Sequence, residues 1–311
     1  MITILGAGGA ISNELVKLLA ECGKSFRLVS RRGTTAPGAS EQMAADLGDK
    51  DQTTRAVTGS SVVFLLAGLK YDHKVWAEMW PRIMANTIEA CKRAGARLVF
   101  FDNVYMYGRV MGPMTEETPF HPMSRKGEVR ARIATSLISE WKAGNLTAMI
   151  ARCADFYGPQ AKNGMANALV FDPMSKGQKA MCLVNDELPH SYTYTPDAAQ
   201  ALLTLSESEA AWNQTWHMPT ASSPLTAREF IARAAEEMGV ALKYRVLSRR
   251  MVRVFGWFNP VVGEIHEMLY QNDSPYVFDS SKYAKALGFA GTPYAEGIRV
   301  TAESYRKAGP S

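Results

Sequence analysis

The sequence predicts an α/β fold, in which a doubly wound parallel sheet carries helices on both faces and a smaller portion follows toward the C-terminus. Three observations predict it. Short apolar runs suited to buried strands recur through the first half of the 311-residue chain. Segments with helical spacing of apolar residues separate these runs, and a glycine cluster joins the first run to the first helical segment. Strands and helices that alternate in this rhythm form a parallel sheet covered on both faces.

The first half contains five predicted strands and three predicted helices. The strands are expected at residues 2–5, 26–30, 62–67, 98–101 and 146–151, and the helices at 13–22, 75–94 and 128–141. Pro81 lies inside the second helix, where a proline ring crowds the preceding turn and its nitrogen has no proton to donate. We therefore expect a kink or a break of the helix at that residue.

The second half is less regular and is predicted to be mainly helical. Helices are expected at residues 164–176, 196–205, 226–238 and 294–306. Thr226 and Glu229 have the spacing of a capping box, in which each side chain satisfies a backbone N–H of the other. The apolar segment 251–268 is interrupted by Asn259 and Pro260, so it is predicted to form two shorter pieces.

The charge balance favours small anionic ligands over nucleic acid. The formal net charge is +5 and charged residues make up 21% of the chain, which also excludes wholesale disorder. Apart from Arg31-Arg32 and Arg249-Arg250, the basic residues are dispersed along the sequence. A nucleic-acid partner is not expected, because such proteins usually carry a basic stripe on one face.

Cysteine spacing and hydropathy predict a cytoplasmic protein. The four cysteines form no C-x-x-C pair, and they stand at Cys22, Cys91, Cys153 and Cys182. A chain of this length does not need a disulfide framework, so reduced thiols are expected. No leader is expected before the first predicted strand at Ile2. Apolar runs such as 62–69 are too short to span a bilayer, so no membrane partner is expected, and no metal site is predicted.

The loop after the first strand has the composition of a dinucleotide-binding turn. It supplies Gly6, Gly8, Gly9, Ala10 and Ile11, followed by Ser12 where a small residue is wanted. Glycines permit a tight turn and let backbone N–H groups approach a pyrophosphate at the N-terminus of the next helix. The alternative is a glycine-rich turn that binds no ligand, because such a loop alone is a weak signal.

The end of the second predicted strand favours NADP over NAD. An acidic residue there would accept the ribose 2′-hydroxyl of NAD, whereas arginine accommodates the 2′-phosphate of NADP. The sequence places Arg31 and Arg32 at this point, and no acidic residue follows before Glu41. NADP is therefore the expected cofactor, with NAD as the alternative; the two arginines could also form a solvated basic turn.

Further motifs, in family order, make the chain resemble the short-chain dehydrogenase/reductase superfamily, in its extended or atypical form that includes NAD-dependent epimerases and dehydratases. The matching segments are Asp46-Leu47, Ala67-Gly68, V-Y-M-Y-G at 104–108, R-C-A-D-F-Y-G-P at 152–159, Y-T-P-D-A-A at 194–199 and D-S-S-K at 279–282. The resemblance implies that Asp46-Leu47 contact the adenine and that Ala67-Gly68 lie beside the cofactor.

The resemblance also implies a division of the chain. A NAD(P)-binding domain of Rossmann type is expected at 1–163, with 191–218 and 276–290 returning to it. Residues 164–190 and 219–275, with the C-terminal helix, are expected to bind the substrate. Family members often pair through two long helices, so a homodimer through 75–94 and 128–141 is the oligomer that the resemblance implies.

The catalytic motif of the family is incomplete in this sequence. The resemblance implies a tyrosine four positions before a lysine that holds the nicotinamide ribose. Lys126 fits the lysine, but the tyrosine position holds Pro122, or Met123 if the alignment slips by one. Neither side chain exchanges a proton. Asn103 stands at the position of the family's serine or threonine, where it can donate a hydrogen bond to a carbonyl but cannot act as a base.

Three functional hypotheses follow from this gap. Another acid–base group can replace the tyrosine, with Tyr105 as the first candidate and Asp155, then Tyr157, after it. A reductase can protonate its substrate from water. The third hypothesis is a sensor or regulator that binds NADP without turnover. The complete C-terminal half favours an oxidoreductase or epimerase/dehydratase-like enzyme on a small hydroxyl, carbonyl or sugar-derived substrate.

Substrate-side residues are less informative. His190 stands where sugar-nucleotide enzymes of the family place a diphosphate-binding arginine, and imidazole is a poorer bidentate ligand; the alternative is a surface histidine. Asn167 is either a substrate neighbour or a solvated helix position. The aromatic residues Phe255, Trp257 and Phe258, with Met251 and Met268, could line an apolar substrate pocket, although ordinary core packing is the expectation for most of them.

Overall fold

A computed structural model of the protein describes residues 1–159 and 161–308. The strands are β1 (Ile2–Leu5), β2 (Phe26–Ser30), β3 (Glu41–Ala44), β4 (Val62–Leu65), β5 (Arg97–Asp102), β6 (Ala148–Arg152), β7 (Asp155–Tyr157), β8 (Ala180–Leu183), β9 (Pro189–His190), β10 (Tyr192–Tyr194), β11 (Thr215–His217), β12 (Leu225–Thr226) and β13 (Tyr244–Leu247). The α-helices are α1 (Ala10–Glu21), α2 (Lys50–Val57), α3 (His73–Ala94), α4 (Arg125–Lys142), α5 (Asp172–Ser175), α6 (Thr195–Glu207), α7 (Ala227–Met238), α8 (Arg249–Phe258), α9 (Pro260–His266), α10 (Ser281–Leu287) and α11 (Tyr294–Ala308).

The predicted doubly wound sheet is confirmed. Seven strands form one sheet in the order β11-β6-β5-β4-β1-β2-β3, and the five neighbouring pairs from β6 to β3 are parallel. The order runs outward in both directions from the β1–β4 pair, which makes this pair the topological switch point where such sheets bind ligands. The central strands have no exposed side chains over Ile4–Leu5 and Val63–Leu65, as expected for strands covered on both faces.

Strand β3 is an element that the sequence patterns did not predict. It pairs with β2 at the edge of the sheet, and three of its four residues are exposed. An edge strand with polar side chains lacks the apolar run that identifies a buried strand. The position of β3 is supported by an ion pair between Arg27 and Glu41, whose Nε and Oε2 atoms lie 2.5 Å apart.

Helix α3 is continuous through Pro81, so of the predicted kink or break the break is wrong, and the kink stays a prediction. The helix runs for 22 residues. Asp72 caps its first turn by accepting hydrogen bonds from the backbone of Lys74 and Val75, and Gly95 ends it in a left-handed conformation. Burial of Trp76 and Trp80 in the turns before the proline offsets the one backbone hydrogen bond that a proline removes.

Contacts divide the described residues into two compact units. The first holds Met1–Met106, Arg125–Arg152 and Ala198–Trp216, which include the seven-stranded sheet almost entirely. The second holds the remaining described residues, in Tyr107–Ser124, Cys153–Asp197 and from His217 onward. None of the helices in the described ranges combines the length and apolar character needed to span a bilayer.

The second unit has its own aromatic core and small sheets. Two-stranded ladders join β7 with β10, β8 with β13, and β9 with β12. Tyr157, Phe171 and Phe230 pack together in its core with Ile298 of α11. The expected helix at 164–176 forms as a π-helical turn, Asn167–Phe171, followed by α5.

The predicted helix signals of the second unit are confirmed. The Thr226–Glu229 capping box is present at the start of α7. Asn259 ends α8 and caps α9, because its side-chain oxygen accepts a hydrogen bond from Val261 N.

Candidate functional site

Two glycines with positive φ shape the loop between β1 and α1. Gly6 has a φ of 100° and Gly8 a φ of 94°, values that residues with a Cβ rarely adopt. A Cβ on Gly6 would lie 2.4 Å from Cα of Ala67, so this glycine lets the loop touch the chain after β4. The atom nearest to a Cβ on Gly8 would be the Thr34 hydroxyl oxygen, at 3.6 Å. The backbone of Gly8 is therefore approachable by a ligand.

Helix α1 presents its positive end at this loop. The N–H of Gly9 donates to Ser12 Oγ at 2.9 Å, and the Ser12 hydroxyl donates to Gly9 O at 3.0 Å. Ala10 and Ile11 begin the helix, and N–H groups of a first turn have no acceptor within the helix. The first turn of α1, residues 10–13, contains no acidic residue. An anion at this position would be stabilised by the helix dipole.

The arginine turn after β2 lies beside the glycine loop. Ser30 Oγ accepts hydrogen bonds from the N–H and the hydroxyl of Thr34, at 2.8 and 2.9 Å. The Thr34 side chain is also the nearest neighbour of the position that a Cβ on Gly8 would occupy. Arg31 and Arg32 are exposed in this turn. Within the described ranges, neither forms an ion pair, so both guanidinium groups are available to an external anion.

The remaining predicted cofactor residues lie at the ends of the neighbouring strands. Asp46, after β3, is exposed, and its side chain accepts a hydrogen bond from Gly48 N at 2.9 Å. Leu47 is buried, and its carbonyl accepts hydrogen bonds from Asn86 and Thr53. Gly68, after β4, is exposed, and no atom lies within 4 Å of the position that its Cβ would occupy.

The structure thus gathers the predicted cofactor residues at one edge of the sheet. The loops after β1, β2, β3 and β4 all follow the carboxyl ends of parallel strands. This edge is the usual ligand site of an open parallel sheet at its switch point. The glycine backbone, the unneutralised helix end and two arginines suit a nucleotide with several phosphates.

Lys126 is fully buried at the start of α4. None of its side chain is accessible to solvent, and its Nζ lies 4.6 Å from the ring centroid of Tyr71. An ammonium group over an aromatic ring is stabilised by the negative face of the ring. Tyr71 follows β4 in the chain, and its ring also packs edge-on against Trp76.

Tyr105 lies in the same cluster. It begins a short 3-10 turn, Tyr105–Tyr107, after β5. Its ring stacks on Trp76 with a centroid distance of 6.2 Å, and its hydroxyl oxygen lies 3.4 Å from that of Tyr71. Asn103 positions the turn, because its side-chain oxygen accepts a hydrogen bond from Tyr105 N at 3.0 Å. Lys126, Tyr105 and Asn103 therefore belong to one unit, and Tyr71 links the first two.

A buried ion cluster lies beneath these residues. The Arg130 guanidinium carbon lies 4.1 Å from the ring centroid of Trp80 and 4.9 Å from that of Trp76. Its Nη1 is 3.4 Å from Asp102 Oδ1, and Arg152 Nε is 3.7 Å from Asp102 Oδ2. Burial raises the pKa of Asp102, while the two positive neighbours lower it. One buried carboxylate facing two guanidinium groups fixes the end of β5 in place.

Asp155, the remaining predicted catalytic residue, lies in the second unit. The Nε2–H of His190 donates to Asp155 Oδ2 at 2.9 Å. His190 is 6% exposed and stacks on Tyr276, so the alternative of a surface histidine is wrong. The Asp155 carboxylate and the His190 imidazole are therefore hydrogen-bonded to each other in the structure.

Three further residues, Tyr157, Tyr107 and Asn167, are buried within the second unit. Tyr157 is inaccessible to solvent, and burial raises the pKa of its hydroxyl well above the usual range. Tyr107 is buried, and its hydroxyl lies 2.8 Å from His217 Nε2. Asn167 is also inaccessible, which excludes a solvated position. Its amide bonds Gly158 at 2.9 Å and the Tyr305 hydroxyl at 3.1 Å.

The expected core role of the aromatic residues on α8 is wrong. Phe255, Trp257 and Phe258 are 45%, 74% and 82% exposed. Tyr71 and His217 were not predicted from the sequence. A tyrosine shortly after the fourth strand gave no local signal, because its importance depends on Tyr105 and Lys126, which are distant in sequence.

Comparisons with known proteins agree with this geometry. The family model described as the NAD dependent epimerase/dehydratase family matches residues 2–216. A comparison with the curated proteins gives no significant match.

Several solved structures share the fold over nearly the whole chain. The UDP-glucose 4-epimerase of Thermus thermophilus, in complex with NAD, has a TM-score of 0.80 at 21% identity, with 99% of each chain covered. The UDP-glucose 4-epimerase of Thermotoga maritima, with UDP-glucose, has a TM-score of 0.81 at 19% identity, with 99% of each chain covered. A double mutant of DesIV, a dTDP-glucose 4,6-dehydratase of Streptomyces venezuelae with NAD bound, has a TM-score of 0.79 at 17% identity, covering 99% of this chain and 97% of that one.

The family match spans strands β1 to β10, the glycine loop and the turn that carries Tyr105. Together with the strand order and the switch-point loops, it shows that this chain belongs to the NAD-dependent epimerase/dehydratase family of enzymes.

Proposed function

We propose that the protein is an NADP-dependent oxidoreductase, or an epimerase or dehydratase with transient hydride transfer, in which Tyr105 replaces the family's missing tyrosine. The observation that carries this proposal is the polar cluster of Tyr105, Tyr71 and Lys126. Two phenol oxygens 3.4 Å apart, with a buried ammonium group over one ring, provide groups that can hold and move a proton. Pro122 and Met123 provide none.

The residues present fit a pyridine dinucleotide. Gly8, Ala10 and Ile11 would hold the pyrophosphate through backbone N–H groups, and the open backbone at Gly68 leaves room beside the end of β4. When bound, the nicotinamide ring supplies or accepts the hydride. The family resemblance assigns the ribose to Lys126; because its ammonium group is covered by the Tyr71 ring, this role requires that ring to move aside.

The phosphate preference rests on the arginine turn. Arg31 and Arg32 are exposed beside the glycine loop. Glu41, the first acidic residue after them, is paired with Arg27 across the β2–β3 ladder. Charge-assisted bonds from arginine to phosphate are among the strongest polar contacts. This arrangement supports NADP over NAD as the preferred cofactor.

Asn103 and Tyr105 would act on the substrate oxygen. The side-chain oxygen of Asn103 is engaged by Tyr105 N, which orients the amide so that its NH2 group can donate to a carbonyl. The Tyr105 hydroxyl can then deliver a proton to the same oxygen, or remove one in the reverse direction. Asp155 stays a second candidate for proton transfer.

The substrate is proposed to be a small hydroxyl, carbonyl or sugar-derived compound. The solved neighbours include proteins that bind UDP-glucose. In this chain, however, His190 replaces the expected arginine and is buried against Asp155 and Tyr276. An imidazole committed in this way is a poor ligand for a diphosphate. Pairing of two copies through α3 and α4 also stays a prediction.

The test is turnover combined with cofactor binding. The protein is titrated with NADPH and NADH by calorimetry, then assayed with aldehydes, ketones and sugar nucleotides by the absorbance of the reduced cofactor. With the compound that reacts, Tyr105→Phe is expected to lower turnover by about 10²- to 10⁴-fold, the usual contribution of a general acid–base group. NADPH affinity should be unchanged.

Tyr244→Phe is the matched control. Its hydroxyl bonds Asp186 in the second unit, so its loss should leave turnover near the wild-type value. Tight NADPH binding without turnover of any compound would favour the sensor or regulator instead. Full activity of Tyr105→Phe would remove Tyr105 from the mechanism.

A further inference from the structure

Exposed apolar side chains are concentrated in one segment of the second unit. Among the described residues, eleven large hydrophobic side chains are exposed, and eight of them lie between residues 240 and 261. These eight are Val240, Leu242, Val246, Val254, Phe255, Trp257, Phe258 and Val261. Single exposed apolar residues are ordinary, but four of these eight lie on adjacent turns of one helix, α8, and a contiguous exposed apolar patch marks an interaction surface.

The same segment is strongly basic. Residues 239–263 contain no aspartate or glutamate and five basic residues, which are Lys243, Arg245, Arg249, Arg250 and Arg253. The other 30 basic residues are balanced by the 30 acidic ones. The segment alone therefore has a formal charge of +5. Arg249 is paired with Asp273, whereas Arg250 and Arg253 are exposed.

Helices α8 and α9 form a tightly packed hairpin within this segment. A Cβ on Gly256 would lie 2.9 Å from Cα of Gly263, so the two backbones are in direct contact. Val252 of α8 is buried with Leu183 and Leu269, and residues of α9 pack against this cluster. The inner face of the hairpin thus has its apolar partners. Its outer apolar residues are not needed for the core.

The outer face of α8 alternates basic and apolar residues. Arg250, Arg253, Val254 and Trp257 follow the i, i+3, i+4, i+7 spacing that places side chains on one side of a helix. Trp257 and Phe258 are 74% and 82% exposed and end the helix at its tip. A solvent face is normally polar; on this one, arginines lie beside exposed aromatic rings, an arrangement in which the rings can contact acyl chains while the long basic side chains reach anionic headgroups.

We propose that the α8–α9 hairpin docks the protein on an anionic lipid bilayer. Trp257 and Phe258 would enter the boundary between headgroups and acyl chains, and Arg250 and Arg253 would contact the lipid phosphates. Association of this kind is peripheral.

The charges and the side chains argue against other partners. A two-fold interface between copies would bring the same basic patch against itself, and like charges repel. Nucleic acid would satisfy the arginines but leave the apolar tip in water.

Vesicle sedimentation tests the proposal on the full chain. The protein is mixed with vesicles of phosphatidylcholine alone or with added phosphatidylglycerol, and the pelleted fraction is measured at low and high salt. We expect pelleting only with the anionic vesicles, and less of it at high salt. The double substitution W257S/F258S should weaken partitioning by about tenfold or more, because two large apolar side chains lose their burial. R250Q/R253Q should weaken it by a similar factor.

Controls separate binding from misfolding. Met111→Ser removes an apolar side chain that is 91% exposed outside the segment, and its partitioning should equal that of the wild type. Trp257→Phe should still pellet but should lose most of the blue shift in tryptophan emission on binding. Each variant is checked by its thermal unfolding curve.

The proposal is overturned by any of three results. These are equal pelleting with neutral and anionic vesicles, pelleting that W257S/F258S leaves unchanged, and binding to duplex DNA or to a second copy without binding to vesicles. Cofactor binding and turnover do not enter this assay, so its outcome is independent of the proposed function.

Discussion

The phenol oxygens of Tyr71 and Tyr105 lie 3.4 Å apart, although the two residues follow different strands and are separated by 34 positions in the chain. Both rings contact Trp76, and the Tyr71 ring also covers Lys126. The pair places two hydroxyls on an aromatic support after β4 and β5.

Substitution of Tyr71 tests whether the second hydroxyl assists the first. If Tyr105 gives up its proton, the Tyr71 hydroxyl can donate a hydrogen bond to the resulting phenolate. A bond to a charged group contributes about 1.5–3 kcal/mol, so Tyr71→Phe should lower turnover by roughly 10- to 100-fold, less than Tyr105→Phe. The limb of the pH–rate profile that reports the base form should move to higher pH. An unmoved profile would assign Tyr71 a packing role only.

The arginine turn should decide cofactor preference. The double substitution R31A/R32A removes both positive charges beside Gly8, and NADPH affinity should fall by about 10- to 100-fold because charged hydrogen bonds to the phosphate are lost. NADH affinity should change little. Arg55→Ala removes an exposed arginine of α2 and should affect neither cofactor. Calorimetry gives all the constants, and equal losses for NADPH and NADH would contradict the 2′-phosphate role.

The stability of the fold should depend on Gly6 for two reasons, which are its positive φ and its close contact with the backbone of Ala67. Gly6→Ala would place a Cβ 2.4 Å from Ala67, whereas Gly59→Ala, at a φ of 77°, meets no atom within 4 Å. Gly59→Ala should therefore cost only the backbone strain, about 1–2 kcal/mol. Gly6→Ala should lower the free energy of unfolding by clearly more. Urea titrations compare the two, and equal losses would show that the chain after β4 yields easily.

The negative charge of Asp102 should stabilise the folded protein. Asp102→Asn keeps the shape but leaves the buried guanidinium groups of Arg130 and Arg152 without their counter-charge. Breaking a buried pair in this way costs about 3–5 kcal/mol. Asp49→Asn, which keeps a good cap at the exposed start of α2, should change stability little. In an Arg130→Met background the loss on Asp102→Asn should shrink, since one charge is already gone. A loss no greater than that of Asp49→Asn would refute the electrostatic role.

Local signals predicted most of the first unit. Buried strands have apolar runs, and the glycine loop has a composition that few other turns need, so the sheet and the cofactor edge could be placed from sequence. Strand β3 could not, because its exposed residues Glu41, Gln42 and Ala44 carry no apolar pattern.

The exposure of the α8 aromatic residues and the contact between Tyr71 and Tyr105 could not be predicted either, because both depend on tertiary packing. An apolar run such as V-F-G-W-F predicts burial, but it does not say whether the partner belongs to the same chain. The contact between Tyr71 and Tyr105 depends on how β4 and β5 are paired, which no local pattern reports. The break predicted at Pro81 does not occur, since the neighbouring Trp76 and Trp80 are buried and α3 continues through the proline.

The burial of Lys126 beneath the Tyr71 ring gives the first unit an internal chemical reporter. Acylating reagents reach amines that are in solvent, so they should modify surface lysines while Lys126 is spared. Lys126 should be acylated only when the segment after β4 moves away from it. The rate of its acylation, measured by mass spectrometry of the peptide that contains Lys126, would therefore report how often this segment opens.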